Sequence, residues 1–65
     1  MDLESVIYEI LSREEMNIAR LKKELERQGL RTSLLDVVRA LSNMEAKRLV
    51  ERVRSENYSP VRPLM

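Results

Sequence analysis

The sequence predicts a mainly α domain, three short helices followed by a small C-terminal β-hairpin. Three observations carry that expectation. Apolar residues recur at helical spacing in three separate stretches, the chain's one glycine falls between the second and third of them, and the pattern changes to strand-like alternation after Arg48. Sixty-five residues leave room for a single domain, 1–65. At that size folding hides only about 60% of the surface the unfolded chain exposes, so the stability margin is thin.

The first helix is expected near residues 3–12, where Leu3, Val6, Ile7, Ile10 and Leu11 form one stripe behind Asp2 as N-cap. Tyr8 falls off that stripe and reads as a half-exposed ring. Ser12 to Asn17 reads as a connection. Asn17 then caps a second helix near 18–28, with Ile18, Leu21 and Leu25 on one face and Lys22, Lys23, Glu24 and Glu26 toward water. Gly29 ends it, because the residue after a helix commonly needs a positive φ that glycine reaches without a Cβ clash. Leu30 follows as a hydrophobic plug behind the cap.

A third helix is expected near 33–46, opened by Thr32 or Ser33, with Ser33 and Asp36 as an approximate capping box. Leu34, Val37, Val38, Leu41 and Met44 fall within one arc of its wheel and are expected to face the core. From Arg48 on, Leu49, Val50 and Val53 alternate with Glu51, Arg52 and Arg54 as a strand. Ser55 to Ser59 reads as a polar loop and Val61 to Met65 as the returning strand, giving a wing near 49–65. Pro60 and Pro63 are expected at strand ends, bulges or the outer edge, since neither donates a ladder hydrogen bond.

Composition argues against catalysis. The chain has no cysteine and no histidine, which removes thiolate chemistry, the commonest imidazole ligand and the usual general base near neutral pH. One glycine cannot build a phosphate-cradling loop. Ser5, Ser12, Thr32, Ser33 and the two tyrosines have no histidine to activate them, and Glu14–Glu15 reads as a solvated charge pair. The expectation is therefore no enzyme, no metal and no cofactor. No apolar run approaches a membrane span, and two acids in the first four residues are the reverse of a targeting peptide, so a cytoplasmic or nucleoid-associated protein is expected.

The formal charge of +1 hides an uneven distribution. Residues 1–15 hold five acids against Arg13, a net of −4. Residues 16–31 hold five bases against two acids, a net of +3, and residues 32–54 five bases against three, a net of +2. The start is acidic and the remainder mildly basic.

The stretch Leu34 to Arg54, LLDVVRALSNMEAKRLVERVR, resembles the recognition helix and first wing strand of the winged helix-turn-helix superfamily, whose small transcription regulators often read "v-r-a-l-x-x-L-e-x-k-G-l-v-e-r" there. Ile18 to Leu25 takes the place of the first helix of the motif, and Gly29 and Leu30 that of its turn. The likeness implies double-stranded DNA as partner, transcription regulation as role, and the third helix in a major groove. There is one departure: where many relatives have glycine before the strand, this chain has Arg48, for which a left-handed conformation costs about 1 kcal/mol. The short strand common between the first two helices would have to come from Glu15 to Asn17, which the sequence barely supports.

On that reading the outward face of the third helix carries Ser33, Leu35, Asp36, Arg39, Ser42 and Asn43. Arg39 suits guanine O6 and N7, Asn43 suits adenine, Asp36 can accept from cytosine N4, and Ser33 can meet a phosphate. Lys22, Lys23, Arg27 and Arg31 would approach the backbone, with Arg52, Arg54 and Arg62 on the wing and Asn57 and Tyr58 at its tip. A homodimer joined through the first helix or the C-terminal residues would pair two half-sites. The alternative is a winged-helix protein–protein interaction module, or a small subunit of a larger assembly, using the surface apolar groups Leu35, Tyr8, Tyr58, Leu64 and Met65.

Overall fold

The computed structural model describes residues 2–52 and 57–60. Helix α1 (Leu3–Arg13) leads through strand β1 (Met16–Asn17) into helix α2 (Ile18–Arg27). Helix α3 (Leu34–Ala46) and strands β2 (Val50–Arg52) and β3 (Asn57–Pro60) follow. The strands form one antiparallel sheet in the order β1-β3-β2, with Met16 opposite Tyr58 on one side of β3 and Arg52 opposite Tyr58 on the other.

Each helix starts where the sequence placed it, though not always by the expected contact. Asp2 stands at the N-cap of α1, but its carboxylate accepts from Ser5 Oγ at 3.4 Å and not from a helix N–H. Asn17 Oδ1 does cap α2, accepting from the Arg20 N–H at 2.8 Å. At α3, Ser33 Oγ accepts from the Asp36 N–H at 3.1 Å and the Asp36 carboxylate accepts from the Ser33 N–H at 3.4 Å, so the capping box is reciprocal.

The helices, β1 and β2 close on a core of Val6, Ile7, Ile10, Leu11, Met16, Leu21, Leu25, Val37, Ala40, Leu41, Met44 and Val50. Among the described residues no polar or charged residue is buried. Leu3, Tyr8, Ile18, Leu30 and Leu49 pack against its rim. The turn between α2 and α3 is less well satisfied. Thr32 Oγ1 is buried without a hydrogen-bond partner, a situation that costs about 1–3 kcal/mol.

Three expectations are corrected. Leu34, assigned to the core arc of α3, is 51% exposed, and Val38 is only half-buried. The buried arc is instead Val37, Ala40, Leu41 and Met44, turned so that the small Ala40 meets the core and the first turn swings outward. Second, the connection after α1 begins later, because the helix runs through Arg13, and it contains β1 despite its weak strand signal. A two-residue strand needs only an edge to pair with, which β3 supplies. Third, Asn57, Tyr58 and Ser59 are not a loop tip but belong to β3, the central strand. Pro60, at the end of that strand, lies opposite Val50. The returning strand expected at 61–65 lies outside the described residues.

Gly29 takes φ +85°, as expected at a helix exit. Arg48 takes φ +62°, so the arginine adopts the left-handed conformation where the resemblance would put glycine. No helix among the described residues is long and apolar enough to cross a membrane.

Candidate functional site

The wheel of α3 fixes which side chains face outward. Val37, Ala40, Leu41 and Met44 point to the core, so the opposite direction carries Leu35, Arg39, Ser42 and Ala46, all exposed. Leu35 and Arg39 are one turn apart on that face. Leu35 is 58% exposed, more than Leu34 beside it.

Asn43 is exposed but sits off this centre. It shares a flank with Lys47 one turn later, and Lys47 Nζ reaches the Glu4 carboxylate of α1 at 3.0 Å. The flank bearing Asn43 is thus turned toward α1. Ser33 and Asp36 are exposed, yet their side chains are spent on each other's backbone in the capping box. Their first task is to open the helix.

The basic residues divide into two groups. Lys22 pairs with Glu26 at 3.1 Å and Arg27 with Glu24 at 2.7 Å along α2. Two further pairs are Arg20–Glu14 at 2.9 Å and Arg13–Glu9, and Arg13, Glu14, Arg20, Glu24 and Arg27 line a shallow cleft with Ile10 and Met16. Exposed pairs of this kind are worth little and exchange partners readily. Lys23, Arg31 and Arg39 are exposed and have no acidic partner among the described residues. Arg52 is exposed on β2, shares Val50's side of the strand by alternation, and is engaged by the chain itself. Arg54, Arg62 and the side chains of Asn57 and Tyr58 lie outside the described part of the structure.

The residues expected to act together are therefore separated by degree. Arg39 stands on the outward face of α3, and Lys23 and Arg31 have no acidic partner among the described residues. Asn43 lies to one side, and Ser33 and Asp36 are held by capping. Leu35 is exposed as expected, and the feature the sequence reading missed is the exposure of Leu34 beside it. The signal lay in the wheel: an arc centred on Val37, Ala40, Leu41 and Met44 leaves Leu34, in the first turn, at its edge. Among the described residues no group of three or more carboxylates gathers as a metal site would require. Compared with known proteins, the chain matches no family model, no curated protein and no solved structure.

Proposed function

We propose that the chain is a winged helix-turn-helix domain that binds double-stranded DNA as a transcription regulator, with α3 in the major groove. The observation that carries the reading is the outward position of Arg39 on α3, opposite the buried arc and without an acidic partner among the described residues. A guanidinium held there by a rigid helix can donate two hydrogen bonds to guanine. Lys23 and Arg31, likewise without an acidic partner among the described residues, are the first candidates for phosphate contacts; Lys22 and Arg27 can join by exchanging weak surface partners, and Arg52 and Arg54 are further candidates on the wing. Asn43 and the Ser33–Asp36 cap flank the reading face.

One module of this size covers a small DNA interface, about 600–1,000 Å², so two copies reading paired half-sites supply useful specificity. Sedimentation equilibrium without DNA tests the homodimer, and a monomer at high micromolar concentration removes it. DNA binding itself is tested by titrating salt against affinity for a short duplex. Lys23 and Arg31 alone predict a log–log slope of about −2, rising toward about −5 if the other four cations engage phosphates. Undetectable binding at low salt overturns the reading.

A second reading, a winged-helix module for protein–protein contact, is favoured by one observation, the exposure of Leu34 and Leu35 together on α3.

A further inference from the structure

We infer that Leu35 is a base-reading residue, recognising the C5 methyl group of a thymine that lies one or two steps from the guanine contacted by Arg39. The inference rests on the DNA-binding reading and adds the kind of target site it takes. Leu35 is the second residue of α3, and the first turn of a groove-entering helix is the part that meets base edges. It points directly away from the core and is 58% exposed, with Leu34 beside it 51% exposed. Charge complementarity selects a polyanion as the surface that covers them. Arg39 lies one turn on along the same face, Arg31 precedes the helix, and neither has an acidic partner among the described residues. Asp36, the nearest carboxylate on α3, sits about 100° round the wheel and is held by the Ser33 N–H.

The chemistry then narrows the base. A leucine offers no donor or acceptor, so guanine, adenine and cytosine edges facing it lose a hydrogen bond to water and gain none. In the major groove thymine alone among the four bases presents a methyl group. Leu35 and Arg39 are four residues apart on α3, about 6.0 Å along the axis, against about 3.4 Å per base step. The two side chains therefore address bases one or two steps apart, and the predicted site pairs a thymine with a nearby guanine.

The test begins with selection of preferred duplexes from a randomised pool, followed by replacement of each selected thymine with deoxyuridine, which lacks only the methyl group. The wild type is expected to lose about fourfold in affinity at one thymine per half-site. Leu35→Ala should bind the thymine and deoxyuridine duplexes equally, whereas Arg39→Ala should lose the guanine preference and keep the difference at thymine. Leu35 is exposed, so its replacement leaves the core intact, and circular dichroism checks the fold. Equal binding of both duplexes by the wild type, with salt-dependent binding retained, overturns the inference and leaves the DNA reading standing. A Leu35→Ala variant that keeps the thymine preference but no longer self-associates also overturns it, assigning the leucines to a second copy. No salt-dependent binding to any duplex overturns both.

Discussion

Helices α2 and α3 leave the core through the same turn, built from different residues. At α2 the Gly29 N–H donates to the Glu26 carbonyl and the Leu30 N–H to the Leu25 carbonyl, both at 2.9 Å. At α3 the Arg48 N–H donates to the Glu45 carbonyl at 3.0 Å and the Leu49 N–H to the Met44 carbonyl at 2.9 Å. Each is a Schellman exit, with a left-handed residue followed by a leucine that packs on the rim of the core. One exit uses the chain's single glycine and the other an arginine. The comparison separates two contributions: hydrogen bonds and the hydrophobic plug define the shape, and the residue at the left-handed position sets only its strain.

The largest effect should come from the residues beneath the two plugs. Leu25 and Met44 occupy the same position in their exits, three residues inside the cap, and both are fully buried. Truncating either to alanine should cost about 2–5 kcal/mol, enough to unfold much of the population of so small a domain. Urea denaturation measures it. A loss confined to one of the two sites would show that the exits do not share one core.

Next comes Gly29→Ala. A Cβ built there meets nothing within 4 Å, so the substitution introduces no clash and its whole effect is the left-handed backbone. The expected loss is about 1–2 kcal/mol, a fall in Tm of about 4–8 °C per kcal/mol for a domain of this length. The reciprocal change, Arg48→Gly, should raise stability by up to about 1 kcal/mol, because it relieves φ +62° at the cost of a more flexible unfolded chain. If Arg48→Gly leaves Tm unchanged, the two exits differ by more than the residue at the turn.

The same two exits mark how much of the molecule the sequence made legible. Gly29 was readable because glycine has a short list of reasons to sit behind an amphipathic helix. Arg48 was readable only as an anomaly, since an arginine does not announce a positive φ and only the resemblance drew attention to it. The three helices followed from the spacing of their apolar residues, and Ser33–Asp36 followed from cap chemistry. Strand β1 and the placement of Asn57 to Ser59 in β3 did not, because a short strand is defined by its neighbours and polar residues pair through the backbone as well as apolar ones do. On α3 the arc was read about one residue out of phase at its start. Alanine carries little weight in an apolar pattern, so the sequence favours Leu34 over Ala40 for the core arc. That phase error concerns Leu34 alone, since Leu35, on which the proposed base reading depends, is outward in sequence and structure alike.

The smallest expected effect concerns what the α3 exit has and the α2 exit lacks. Its C-cap, Lys47, reaches Glu4 in the first turn of α1 at 3.0 Å, joining residues 43 apart in the chain. The C-cap of α2, Gln28, carries no charge. The long reach invites the idea that the pair clamps the fold, but the Lys47 side chain is 60% exposed and that of Glu4 21%, so water screens much of the attraction. A double-mutant cycle with Glu4→Gln and Lys47→Met should give a coupling of less than about 1 kcal/mol that shrinks as salt is raised. A larger, salt-insensitive coupling would mean that the α3 exit is held from outside as well as by its own turn. It would also explain how that exit carries an arginine where its twin has glycine.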